Sequence, residues 1–308
     1  MTQAKSLWHP VHWPAWFGVG VLTLFSRIPY RLRNRLVASV ARLTFKPSAK
    51  QTRVARLNLE LCFPEHSSSD IDALLRLNYC RYLQILIQLP TLWWGNSSRL
   101  TSRVKFRGEE HLPADTESGS GAVLLFTHTI GLEFGATAMS ALYPMQGIYN
   151  PFNNAVVDHM FERGRKRFGG HVAARGEGLR TTLKRLSSGI HLVYLADEDF
   201  GHEGSVFAPF FSQPKATLAM LPRIARHAGA PVLPAYTVYD PETDVFVATI
   251  DPPIQDYPDE DPVVSATLMN AAIESTIRAC PEQYLWKLRL FRSMPDGGPS
   301  RYTEIRRG

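Results

Sequence analysis

The chain reads as an α/β fold, a central and mostly buried sheet flanked by helices. Three observations predict it. From Val104 onward, short apolar runs alternate with helical segments. Two of those runs, 122–127 (AVLLFT) and 191–196 (HLVYLA), are apolar without alternation, as strands covered on both faces are. The 308 residues, 44% hydrophobic and 20% charged, supply core material for one large domain or two small ones. That balance excludes a disordered chain and a many-pass membrane protein.

Taken in order, the first feature is the apolar stretch WPAWFGVGVLTLF, Trp13 to Phe25, with Arg27 just beyond it. A spanning helix needs about 20 residues. With Trp8, Trp13 and Trp16 as interfacial aromatics, the stretch is predicted to anchor the chain to a membrane, by spanning a thin bilayer or by lying in one leaflet. A core helix is the alternative. No small-x-small cleavage site follows, which argues against a signal peptide. Residues 1–60 hold ten Lys or Arg against the single acid Glu60, so the bulk of the chain is expected on the cytoplasmic side, facing an acidic surface or partner.

Residues 31–46 read as a basic amphipathic helix, and QTRVARLNLELCFPE as a further helix stopping at Pro64. Ser69 as N-cap, with Asp72 three residues on, opens another, with a broad apolar face from Ile71 to Leu86. After the 122–127 strand, a helix is expected from about Ile130 to Leu142. Residues 216–228 read as a helix stopping at Gly229, 231–239 and 245–250 as strands, and Asp261 with Pro262 opens a last helix to about Cys280. No internal repeat or low-complexity tract interrupts the pattern.

Cys62, Cys80 and Cys280 are odd in number and form no C-x-x-C pair, so a reducing compartment is expected, without disulfide framework or zinc site. There is no glycine-rich phosphate loop and no nucleic-acid motif. Basic charge is better matched to membrane and lipid phosphate.

The chemistry centres on LLFTHTIGLEFG, which puts His128 at a strand end and Glu133 five residues on. On a continuous helix these would diverge. With Thr129 as N-cap, His128 becomes N′ and Glu133 N4, positions whose side chains meet at a helix start. Such a carboxylate would hold one imidazole tautomer and stabilise the imidazolium. With no serine or cysteine in the motif, the proton taken by His128 would come from a substrate hydroxyl. A structural histidine beside a first-turn acid is the alternative. Arg163, Arg165, Lys166 and Arg167 form a basic run suited either to a solvated helix end or to anion capture. Asp197, Glu198 and Asp199 follow the 191–196 strand, either as a turn that orders arginines or in a direct role; three adjacent acids share few directions for Mg²⁺. Arg175 and Gly176 follow a strand-like segment at His171 and have weaker standing.

His128 and Glu133 match the H-x4-D/E pattern of glycerolipid-type acyltransferases. Further stretches, HPVHWPAWFGVG, NLELCFPE, YNPFNN, RGRKRFGG, LADEDFG, SVFAPFF, KATL and PEQYLWKLRLF, run in order from about residue 9 to 291. In them the chain resembles the late acyltransferases of lipid A biosynthesis, the LpxL/LpxM type, with RKRFGGHVAARGEG closer to the LpxM branch. The resemblance implies a glycerolipid-acyltransferase-like sheet, an anchor over residues 1–30 and an acyltransferase domain over 31–308. It implies transfer of a secondary fatty acyl chain, laurate or myristate class, from an acyl carrier protein to a hydroxyl of a phosphorylated lipid A precursor. It also implies no metal or cofactor, and an inner-membrane location facing the cytoplasm. His128 would be the base and Glu133 its partner; Asn150, Arg163, Arg165, Lys166, Arg167, Asp197 and Asp199 would bind substrate. Asn150 departs from the LpxL branch, which often has Arg after the tyrosine of YNPFNN. Rival readings are an acyltransferase acting on a lysophospholipid or other glycolipid, and a non-catalytic binder of lipid or carrier protein.

Overall fold

A computed structural model of the chain describes residues 6–113, 119–174 and 179–307. Arg175 and Gly176 therefore lie outside the described residues. Four helices come first: α1 (Trp13–Phe25), α2 (Tyr30–Thr44), α3 (Lys50–Cys62) and α4 (Ser68–Leu86), followed by the short α5 (Pro90–Trp94) and α6 (Ser97–Thr101). The α/β region then runs β1 (Val104–Arg107), β2 (Val123–Phe126), α7 (Leu132–Ser140), β3 (Met145–Tyr149), α8 (Ala155–Lys166), β4 (His171–Ala174), α9 (Leu179–Leu186) and β5 (His191–Leu195). It continues with β6 (Ser205–Phe210), β7 (Gln213–Leu218), α10 (Leu221–Ala228), β8 (Val232–Asp240), β9 (Val245–Ile250) and α11 (Pro262–Ala279), and α12 (Thr303–Arg307) ends it.

Seven strands form one sheet in the order β1-β9-β8-β2-β5-β3-β4, parallel throughout except for the β8–β9 pair. β2 lies at its centre and all four of its residues are buried, which is why its sequence shows no alternation. Val123, Leu125 and Leu192 face a core completed by α3, α4, α10 and α11. Leu124, Phe126 and Met145 face the opposite side, where Met139 of α7 packs on them. The sheet is thus covered on both faces.

Several boundaries differ from the sequence reading, each for a local reason. Ser67, not Ser69, caps α4: its hydroxyl accepts from the Asp70 N–H while the Asp70 carboxylate accepts from the Ser67 N–H, a reciprocal capping box. Helix α7 begins at Leu132, with Gly131 at the cap instead of Thr129. Thr129 is held elsewhere, bridged to Tyr284 and accepting from the Thr237 N–H. Gly135 lets α7 lie close on β8, since a Cβ there would fall 2.0 Å from Thr237 Oγ1. Residues 216–218, expected to be helical, instead pair with β6 in an antiparallel hairpin outside the main sheet, and α10 starts only at Leu221 with Pro222 in its first turn.

α1 has 13 residues, and no helix among the described residues is long and apolar enough to cross a membrane. The spanning alternative therefore finds no support. α1 buries Val19 beside α5 and α8, yet leaves Trp13, Phe17 and Leu24 more than half exposed. α2 does likewise: Asn34, Val37 and Ala41 are buried, while Leu32, Leu36, Val40 and Leu43 form an exposed stripe at i, i+4, i+8 and i+11.

Candidate active site

The site follows from strand register. Phe126 of β2 pairs with Leu195 of β5, so the residues two positions further on, His128 and Asp197, emerge side by side above the carboxyl ends of adjacent parallel strands. His128 Nδ1 lies 2.5 Å from Asp197 Oδ1, and the His128 backbone N–H donates to Asp197 Oδ2 at 2.8 Å. The Tyr284 hydroxyl donates to the same Oδ2 at 2.9 Å. An ionised carboxylate only accepts, so the hydrogen of a neutral His128 sits on Nδ1 and Nε2 keeps its lone pair.

The carboxyl-terminal segment fixes this loop. The Leu285 N–H donates to His128 O at 2.9 Å and the Ile130 N–H to Gln283 O at 2.7 Å. Gln283 is itself held, its Oε1 accepting from the Tyr239 N–H and its Nε2 donating to Tyr239 O. The PEQYLWKLRLF stretch is therefore a clamp on the histidine loop.

Asp197 is wholly buried. Burial works to raise its pKa, but the His128 charge and hydrogen bonds, with that of Tyr284, hold it below the usual carboxylate value. For His128, burial works to lower the pKa, and the Asp197 charge and hydrogen bond, with Glu198 and Glu133 further off, outweigh it and hold it above the usual 6.5. Lys215, fully buried, donates from Nζ to Ala196 O just before this carboxylate. Burial pushes its ammonium down to about 8 against the pull of Asp197, Asp199 and Glu198.

Glu133 has a different partner from the one expected. Its Oε2 accepts from Arg165 Nε at 3.0 Å and its Oε1 from Arg165 Nη2 at 2.5 Å, a two-point clamp between α7 and α8. The Thr129-capped geometry that would have joined it to His128 does not form, because α7 begins two residues later. Arg165 also lies over the rings of Tyr149 and Phe161, and its buried Nη1 has no hydrogen-bond partner.

The basic run divides. Arg165 is its one member lining the cavity beside His128 and Glu133. Arg163 donates to Trp93 O and lies over Trp94, Arg167 reaches Leu92 O, and exposed Lys166 pairs with Glu162. Asn150 is exposed at the cavity wall. Asp199 accepts from the Ser293 N–H and hydroxyl and the Gly201 N–H, tying the C-terminal segment down instead of facing the cavity. No group of three or more His, Cys, Asp or Glu able to hold a metal occurs among the described residues.

The cavity encloses about 840 Å³, in the range of small-molecule sites. His128, Glu133, Arg165, Glu198 and Lys287 are among its polar residues, Glu198 lying 3.8 Å from His128 Nε2, and its walls are largely apolar, with Ile148, Val193, Leu195, Phe161 and Met220 among them. An imidazole, a guanidinium and a largely apolar chamber thus share one space.

Comparison with known proteins agrees with that class of site. The model of the bacterial lipid A biosynthesis acyltransferase family matches residues 1–293, and the chain belongs to that family. Three Escherichia coli (strain K12) relatives are similar over almost their whole length. The lipid A biosynthesis palmitoleoyltransferase is 31% identical over 97% of this chain and 97% of its own, and the lauroyltransferase 30% identical over 97% and 98%. The myristoyltransferase is 29% identical over 95% and 91%. Such closely spaced identities favour no branch. The chain is accordingly an acyltransferase of lipid A biosynthesis.

Proposed function

We propose that the chain transfers a secondary fatty acyl group, of the laurate or myristate class, from an acyl carrier protein thioester to a hydroxyl of a phosphorylated lipid A precursor, with His128 as general base. The observation that carries this reading is the His128–Asp197 pair at the edge of an apolar cavity, with the Nε2 lone pair left for substrate. His128 Nε2 takes the acceptor hydroxyl proton as the oxygen attacks the thioester carbonyl. The tetrahedral intermediate then collapses with cleavage of the C–S bond, and the imidazolium returns the proton to the departing thiolate. Asp197 stabilises the imidazolium between the two steps.

Glu133, expected as the partner of His128, acts in this scheme through Arg165. It fixes the guanidinium beside the cavity, where its positive charge would favour a substrate anion or the developing oxyanion. Its negative charge also favours the imidazolium.

Association with the cytoplasmic face of the inner membrane fits the exposed apolar residues of α1 and α2, within residues 1–30 and just beyond. On α2 the stripe is flanked by exposed Arg31, Arg35 and Arg42, an arrangement suited to lying in an anionic interface. The deciding experiment is transfer by purified protein from acyl-carrier thioesters to defined lipid A precursors, beside His128→Ala. Loss of at least about 10²-fold in that variant is expected if general-base catalysis is removed. Undiminished transfer would remove His128 from the reaction.

A further inference from the structure

The cavity is lined from both faces of the sheet, by Ile148 and Tyr194 on one and by Gly147 and Val193 on the other, and register places the residues of the second face in rows. Counting back along β2 from His128, the first row is Phe126 with Leu195, and the second is Leu124, Val193 and Gly147; Leu195, Val193 and Gly147 line the cavity, while Phe126 and Leu124 are fully buried beside it. Gly147 pairs in turn with Val172 of β4. Met145, one row deeper on β3, is almost fully buried. Paired residues in parallel strands point to the same face, here the face of Leu124 and Met145 under α7. Val193, Gly147, Val172 and Met145 all line the cavity. Between the two valines, the glycine leaves a gap as wide as a side chain.

That gap is open to substitution. A Cβ built on Gly147 meets one atom within 4 Å, Val193 Cβ at an ordinary 3.8 Å, and the residue is not among the glycines with positive φ. Neither backbone conformation nor close packing therefore requires glycine here. What the missing side chain provides is cavity.

The distance to the base gives the gap a meaning. From the His128 row to the Gly147 row is four residues of strand, about 13 Å, and from β2 to β3 two strand spacings, about 10 Å, so the path is roughly 16 Å. An extended polypeptide gains about 3.6 Å over three main-chain bonds, so a zigzag chain advances about 1.2 Å per bond, and 16 Å corresponds to about 13 bonds. An acyl chain with its carbonyl beside His128 brings carbons 12–14 to Gly147.

We infer that Gly147 sets acyl-chain length: the gap between Val193 and Val172 admits the last carbons of a 12- to 14-carbon chain, and Met145 stops longer ones. This rests on the acyl-transfer reading and adds the residue that measures the chain. Side chains at position 147 should shorten the preferred donor in proportion to their size.

The test is kcat/KM for donors of 8, 10, 12, 14 and 16 carbons with wild type, Gly147→Ala, Gly147→Val and Gly147→Leu. Each methylene that loses its place costs about four-fold. Gly147→Ala should lower the 14-carbon rate a few-fold relative to the 8-carbon rate, and Gly147→Leu at least about 10-fold. Retained 8-carbon transfer reports an intact fold. Should the Leu variant be inactive at every length, the graded Ala and Val variants decide alone. Active Ala and Val variants whose length profiles superimpose on wild type after scaling would overturn the role of Gly147 and leave the activity standing. Wild-type protein that transfers no chain of any length would instead overturn the functional reading, and this inference with it.

Discussion

Replacing Asp197 with Asn tests the centre of the mechanism at nearly constant shape. Asp197 Oδ2 accepts two hydrogen bonds, from the His128 N–H and the Tyr284 hydroxyl, whereas Oδ1 accepts one, from His128 Nδ1. In the amide, the carbonyl oxygen is best placed where two donors converge, which turns the NH₂ toward Nδ1. Nδ1 must then accept, the ring proton moves to Nε2, and the nitrogen facing the cavity loses its lone pair. The same change in a Ser-His-Asp triad lowers kcat by about 10⁴, and a loss of about 10³–10⁴ is expected here, about 4–5.5 kcal/mol in the barrier. Initial-rate transfer assays would measure it, with circular dichroism and thermal melting confirming that the variant folds. A rate within a few-fold of wild type in a folded variant would falsify the assignment of Asp197 as the group that sets the His128 tautomer.

Further expectations follow from the same geometry. Because a base must be unprotonated and His128 is held above 6.5, kcat/KM should rise with pH through a midpoint above that value, and an acid limb below 6.5 would assign the titration to another group. Glu133→Ala and Arg165→Ala should be non-additive, with a coupling of about 0.5–3 kcal/mol in a double-mutant cycle on kcat/KM; simple additivity would mean that each acts alone. Burial holds the Cys62 and Cys280 thiols up, Cys280 at about 12, and raises that of half-buried Cys80. Iodoacetamide near pH 7.5 should therefore leave transfer intact, while an acyl-cysteine found by mass spectrometry during turnover would replace the direct mechanism. Changing Leu32, Leu36, Val40 and Leu43 together to Asp should release the protein from anionic vesicles in flotation assays with its melting temperature little changed, and retained binding would remove α2 from the membrane interface.

The parts of the fold legible in the sequence were those with a one-dimensional signature. The runs 122–127 and 191–196 became β2 and β5, and Asp261 with Pro262 opened α11, the Asp261 carboxylate accepting from the Val263 N–H at 2.7 Å. The β6–β7 hairpin left no such mark. Its second strand, QPKATL, runs directly into the apolar positions of α10, and what makes it a strand is the opposing SVFAPF, a tertiary cause. Likewise the sequence suggests a start for α7 two residues too early, because Thr129, a good capping residue in isolation, is claimed by Tyr284 and Thr237 instead.

The site was readable as a set of residues but not as a set of pairs. His128, Glu133, Arg165 and Asp197 all stood out, yet His128 and Asp197 are 69 positions apart and no local spacing joins them. Nearness in sequence points to Glu133 as the partner, and a separation of 32 positions hides the cation it pairs with, Arg165. One signal was nonetheless present. In FTH and LAD, a candidate residue follows the end of a non-alternating apolar strand by the same two positions. Two buried parallel strands that are neighbours in register must lift such residues above the sheet together, on the same face. Offsets from strand ends therefore predict a pair at the carboxyl crest of an α/β sheet where sequence proximity does not, because the sheet converts equal offset into spatial contact.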